Sequence, residues 1–361
     1  MTSKQIERRF DAFKTFMAIA IALGIAFIVI SFVSEAPVDA IVTFITGPLQ
    51  RKSRIGNILE MMTPIMFTGT AICIMYQANQ FNMIGEGAFL IAANLTTWFA
   101  VTHETWSGLP LQIACLLVGI VTGVAAAFIP AILKVKFKAN EVVSSIMMNY
   151  ILLNVSNYIL YYKMRDTASG QQASYKIPER AKFTKIWTGT RVHTGIFIAL
   201  AVAVLMYFFI YRTKWGYAIR MVGANANFAK YSGISIVSVA MATQLIGGAI
   251  AGLGGSVEML GMYDRFIWYG VQPGYGFDGI MVGVLAKNNP ILVPLAAFFL
   301  AYMRIGADVM NRMSDVPIEF VDVVQGLIIM FVAAEMFLSK YKHKLIVNNA
   351  KKQLEAKEAA E

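Results

Sequence analysis

Phe16 to Val33 reads FMAIAIALGIAFIVISFV, eighteen residues without one charge. A hydrocarbon core of roughly 30 Å asks for about that many apolar residues in a helix. Lipid offers backbone polar groups no water, so they have to bond within the segment and the block reads as helical. Lys4, Arg8, Arg9 and Lys14 precede it, as in a signal peptide. No small-x-small cleavage site follows and many more apolar blocks do, so it is read as an uncleaved first span.

The same reading extends along all 361 residues, of which 57% are hydrophobic and 14% charged. A soluble domain carries roughly a quarter charged residues. Mean hydropathy is +0.60. The sequence predicts an all-α membrane protein with about ten transmembrane helices, near 15–34, 57–78, 82–102, 110–133, 140–162, 193–211, 236–260, 276–287, 290–310 and 318–338. The eighth, 276–287, is too short to cross as a straight helix, which leaves a re-entrant segment or a tilted crossing. Residues 15–338 form one transmembrane domain between the terminal segments 1–14 and 339–361.

The net charge of +10 does not point to nucleic acid, because the basic residues lie in short stretches between apolar blocks. The positive-inside rule accounts for them. Ten spans put both termini on one side, and that side collects 18 of the 31 Lys and Arg residues. The segment 163–192 opposes the bias with seven basic residues, but long loops translocate with less regard to charge. Both termini are expected in the cytoplasm and 163–192 outside the cell, in the plasma membrane of a bacterium or archaeon.

Two halves look related. Phe81-Asn82-Met83-Ile84-Gly85-Glu86-Gly87 and Gly276-Phe277-Asp278-Gly279-Ile280 each place a Gly-flanked acid at the start of a short apolar run. Spans two to five begin outside and spans seven to ten begin inside, which makes an inverted repeat. Gly-interrupted segments at matching places in such repeats point to a translocation pathway.

Enzyme signatures are missing from the chain. It has no GxxxxGK[ST], no HExxH, no CxxC and no Ser nucleophile elbow. His103, His193 and His343 are scattered, and Cys73 and Cys115 fall inside apolar blocks as small hydrophobes. No catalytic residue, metal or cofactor is expected. Gly119-x-x-x-Gly123 and Gly248-x-x-x-Gly252 read as helix-packing motifs.

Polar residues within spans are costly in lipid and therefore informative. Asn79, Asn82, Glu86, Asn149, Asn154, Gln244, Glu258, Asp278 and Gln325 are the main ones. Asn82 and Asp278 can cap the third and eighth spans; any of the set could bond across a helix interface or touch solute. Amides dominate, and amides suit hydroxyls and heterocycle edges. An ion-coupled carrier would more often show a relay of acids and histidines, so the set favours a neutral polar solute.

The segment 212–235 is the most unusual. Gly216 permits a sharp turn; Ala218 to Val222 favour a short helix ended by Gly223 and Asn225; a second, Phe228 to Tyr231, stops at Gly233. Apolar, basic and aromatic residues alternate, giving a compact knob outside the membrane. It could rest on anionic lipid or dock into a cytoplasmic partner.

The pattern R-T-x-x-G-x-x-x-R-x-V-G-x-N-x-x-x-A-x-Y-x-G-I from Arg212 to Ile234 resembles the coupling loop of permease subunits in the ribose/branched-chain-amino-acid type of ABC importer. Phe81 to Gly87 is similar to that family's F-N-I-G-x-E-G stretch, with one residue rearranged. Asn140 to Ile151 and Gly274 to Ile280 resemble the nucleoside-importing branch, and Lys287 to Pro290 and Gln325 to Ile329 continue the likeness. The resemblance implies a permease that forms a nucleoside pathway. Its partners would be a second, similar permease, a cytoplasmic ATPase, and an extracellular lipoprotein or periplasmic binding protein. It also implies ATPase coupling through Gly216, Arg220, Gly223, Asn225 and Gly233. Asn82, Glu86, Asn149 and Asp278 match motif positions near the pathway, where Gln244 joins them as a polar in-span residue. The same machinery importing a simple sugar such as ribose is the alternative, and an ion-coupled secondary carrier a distant one.

Overall fold

A computed structural model describes residues 34–317 continuously, with a few isolated positions at 24–31 and at 323 and 326. The spans read at 15–34 and 318–338 therefore lie outside the described residues, apart from those positions. Among the described residues the chain is helical, with isolated β-bridges and no strands. Among the described residues six helices are long and apolar enough to cross a membrane: Lys52–Gln77, Gly108–Phe137, Glu141–Met164, Gly195–Arg212, Ile236–Gly261 and Pro290–Met313.

In chain order the helices are α1 Pro37–Thr46, α2 Lys52–Gln77, α3 Gly85–Thr102, α4 Gly108–Phe137, α5 Glu141–Ile159, α6 Gly195–Arg212, α7 Lys214–Ala224, α8 Ala226–Tyr231, α9 Ile236–Gly261, α10 Tyr275–Leu285 and α11 Val293–Met313. The chain divides into two compact units, 48–305 and the terminal segments 1–47 with 306–361. In the terminal unit, Asp315 accepts from the Ser34 hydroxyl at 2.6 Å and from the Glu35 amide at 2.8 Å.

Within 48–305, α2 is the innermost helix. Of its apolar window 89% is buried in the chain, against 28% for α6. α9 packs on α4, α3 and α2, and α10 lies along α2. The two glycine motifs face one another across α4 and α9. A Cβ at Gly123 would strike the Gly248 carbonyl, and one at Gly252 the Gly119 carbonyl. Their absence lets two backbones touch, the close approach on which helix association in lipid depends. On its far side α4 exposes Leu109, Ile113, Leu117 and Val121, a four-residue repeat that stacks into one apolar stripe.

The segment 163–192 folds against the link after α9. Ser174 donates to the Phe266 carbonyl at 2.8 Å, Ile177 to Asp264 at 2.9 Å and Phe183 to Leu260 at 2.8 Å. Phe266, Ile177 and Ala181 join an apolar cluster with Leu90, Leu111 and Met259. Lys182 pairs with Asp264 at 2.5 Å and holds its carboxyl below the usual carboxylate range. His193 is buried at the foot of α6, and desolvation pushes its pKa down to about 4.

Candidate functional site

α2 stops at Gln77 and α3 starts only at Gly85; Asn79 takes a left-handed φ of 55° at the break. The non-helical stretch between them exposes backbone groups that lipid cannot satisfy, so side chains of α5 and Asn82 of the stretch itself bond to them. Glu141 accepts from the Phe81 amide at 2.7 Å, and Ser145 from Met83 at 3.0 Å. Asn149 donates to the Met83 carbonyl at 2.8 Å and accepts from Gly87 at 2.9 Å. Asn82 accepts from Ile84 at 2.8 Å, fixing the entry to α3, and donates to Gln244 of α9 at 2.8 Å. Gln244 donates to Gln80 at 3.0 Å, and Lys134 reaches both Gln80 and Glu141.

Three of the predicted residues, Asn82, Asn149 and Gln244, are thus brought into one buried network. Gln80, Lys134 and Glu141 complete it and were not singled out from sequence. The available signal was Asn140, which caps α5 by accepting from Val142 at 2.9 Å and so sets Glu141 in the first turn.

Glu86 turns the other way. Its carboxylate accepts from the Gly274 amide at 2.7 Å and from the Gly276 amide, crossing to the N-terminus of α10. Gly274, at φ 92°, points its N–H at that carboxylate. The first amides of a helix lack internal partners and carry partial positive charge, so a carboxylate there serves both needs. Sequence reasoning expected Asp278 to cap this helix. Asp278 instead sits inside the first turn, in a two-pronged pair with Arg304 of α11, one limb at 2.6 Å. Thr68 of α2 donates to the Tyr275 carbonyl at 2.8 Å. α10 has eleven residues and spans only about 16 Å. The eighth segment is therefore a short helix whose start is held from three sides.

The segment 212–235 forms two helices, α7 and α8, longer than the sequence suggested. Gly216 makes no sharp turn. It lies inside α7, where a Cβ would strike the carbonyls of Phe209 and Ile210 at the end of α6. Thr213 caps α7 by accepting from Gly216 at 3.1 Å, and Asn225 caps α8 by accepting from Phe228 at 3.0 Å. Gly223 presses on the Gln77 carbonyl, and Gly233 has a φ of 81° after α8. Arg220 stacks on Tyr211, 5.2 Å from the ring centre. Tyr211 in turn accepts from Gln77 at 3.3 Å.

The residues expected to make contacts therefore build the knob and seat it on the end of α2. The knob also exposes four aromatics, Trp215, Tyr217, Phe228 and Tyr231, the last 92% exposed.

Residues 54–333 match the family described as branched-chain amino acid transport system / permease component, and the chain belongs to that family. It is a multi-pass membrane permease, the transport component of an ABC transporter and not an enzyme. It is similar to the guanosine ABC transporter permease protein NupP of Bacillus subtilis, 35% identical over 83% of this chain and 85% of the relative. It also resembles the glucose ABC transporter permease protein TsgB13 of Haloferax volcanii, 28% identical over 90% of this chain and 88% of the relative. The nucleoside ABC transporter permease protein NupB of Lactococcus lactis is 29% identical over 79% of this chain and 80% of the relative.

Proposed function

We propose that this chain forms the translocation pathway of a nucleoside importer and receives its energy through residues 212–235. One observation carries the reading: the knob rests on Gln77, the last residue of α2, where the helix gives way to the non-helical segment 78–84. A push on the knob reaches Asn82, Gln244 and Glu86 without passing through flexible chain. An ATPase docks on Trp215, Tyr217, Phe228 and Tyr231, while Gly216, Arg220, Gly223, Asn225 and Gly233 hold the docking surface in shape. Asn82, Asn149, Gln244, Glu86 and Asp278 set the geometry of the pathway wall.

The wider architecture follows from the same reading. Ten spans put both termini in the cytoplasm, with 163–192 outside facing a solute-binding protein. Spans two to five and seven to ten form an inverted repeat. Its support is the meeting of α3 and α10, each starting after a non-helical stretch and joined through Glu86. A second permease completes the pathway.

The nucleoside cargo rests on the guanosine and nucleoside relatives; the haloarchaeal relative favours glucose as the second reading. Uptake of radiolabelled guanosine and glucose into cells expressing the whole importer separates them. Guanosine entry that stops when the ATPase gene is deleted is the expected result. Entry driven by an ion gradient without the ATPase would make the chain a secondary carrier.

A further inference from the structure

The pathway wall described above has its hydrogen bonds made within the chain. A second buried polar group does not. Glu60 on α2 and Glu258 on α9 both line a cavity of about 760 Å3, with Asn57, Arg191, Lys185 and Tyr275 also on its wall. That volume lies within the range of small-molecule sites. Glu258 is 2% exposed, and among the described residues neither its Oε2 nor the buried Oε2 of Glu60 has a hydrogen-bond partner. The nearest cation, Arg191, lies 3.9 Å from the other oxygen of Glu60 and is itself 66% exposed. The cavity belongs to the end of the molecule opposite the knob, between the 185–191 loop and the link after α9.

A buried carboxylate with a free oxygen costs free energy until donors reach it. Each free Oε2 is an acceptor position, so an occupant that donates hydrogen bonds fits the pair. An anion is disfavoured by two carboxylates. A metal ion is disfavoured by Arg191 and Lys185 on the same wall, and among the described residues no group of three or more His, Cys, Asp or Glu is placed to hold one. A neutral molecule with adjacent hydroxyl donors fits both requirements.

We propose that this cavity is a solute site in which Glu60 and Glu258 accept hydrogen bonds from the vicinal diol of a neutral sugar ring, free or within a nucleoside. The proposal rests on the permease reading and places the solute's first contact with this chain on the binding-protein side. Paired O–H donors satisfy the free oxygens, and Arg191 stands at the mouth, 3.9 Å from Glu60. The wall network at 78–84 then lies further along the route.

The test uses the complete importer in proteoliposomes, with guanosine, 2′-deoxyguanosine and glucose as probes. Guanosine uptake at least tenfold above that of 2′-deoxyguanosine, lost together with discrimination in Glu258→Ala, is the expected result. The same pattern for glucose with no guanosine uptake assigns the diol to a free sugar. Glu258→Gln guards against misfolding: it keeps the shape and one acceptor, and an intermediate, roughly three- to tenfold loss is expected. Wild-type uptake and discrimination in both variants would overturn the site while leaving the permease reading intact. Uptake of none of the probes by the wild type would instead overturn the cargo reading. The cavity is then judged by Asn57→Cys in the assembled complex, labelled with a membrane-impermeant maleimide. Tenfold slower labelling at saturating guanosine or glucose supports the site, and unchanged labelling with both overturns it.

Discussion

The segment 78–87 and the cavity at Glu60 and Glu258 both hold buried polar side chains, yet they differ in one respect. Around 78–87 the amide side chains are engaged by neighbours in the same chain: Asn149 bridges Met83 and Gly87, and Asn82 ties to Gln244. Around Glu258 a carboxylate oxygen has nothing to accept from. A polar residue inside a membrane is thus no evidence of solute contact by itself. The free hydrogen-bonding capacity left after the chain has satisfied itself is the informative quantity.

Four experiments press on that contrast. The largest effect is expected from Arg304→Leu. It removes the Arg304 guanidinium from Asp278, whose side chain is only 3% exposed, and breaking such a pair costs about 3–5 kcal/mol. Thermal unfolding of the detergent-solubilised protein should show a collapse in stability. Unchanged stability would mean that Asp278 has another sufficient partner and that the satisfied region is more redundant than described.

Acidification comes second. His193 stays neutral in the fold down to about 4, whereas in the unfolded chain it takes a proton near its ordinary value of 6.5. Its folded value is lowered, so the unfolded state binds more protons in that window. Stability is full above about 6.5 and falls with pH toward 4, on the order of 1.4 kcal/mol per pH unit. Hydrogen exchange at 183–195 should rise across that range, and His193→Gln should flatten the response.

Trp215→Ala with Tyr231→Ala acts on the exposed knob. Stability should change by no more than about 0.5 kcal/mol per site. Co-purification of the ATPase should fall at least tenfold, since aromatic anchors of this kind contribute about 2 kcal/mol each to an interface. Loss of folding would show that the aromatics pack within the chain instead. Smallest of all is Asp264→Asn, which removes a pair whose acid is 74% exposed. Such exposed pairs contribute well under about 1 kcal/mol, read as slightly faster exchange at 172–183.

The helices within 52–313 were legible from sequence to within a few residues, because uncharged length is a strong signal in a membrane protein. The short eighth segment was legible too. Which polar side chain answered which backbone group was not. Asp278 was expected to cap α10, and its partner Arg304 lies a further helix along; the cap came from Glu86, on α3. Glu60 drew no attention, since in Asn57-Ile58-Leu59-Glu60 it reads as a charge at a span's rim, and only the fold sets it beside Glu258. Gly216 was read as a turn and Gly223 as a helix end; that a Cβ on either would strike a carbonyl of a neighbouring helix was not legible, because close approach of another backbone leaves no trace in local sequence.

The cap that Glu86 places on α10 also sets an order of assembly. Its partners Gly274 and Gly276 lie 188 and 190 residues downstream. Chains emerge from the ribosome N-terminus first. Glu86 therefore enters the membrane long before its two donors exist, and α10 arrives with its first amides already owed to a helix laid down earlier. A nascent chain cut short before Gly274 lacks both backbone donors of the Glu86 carboxylate.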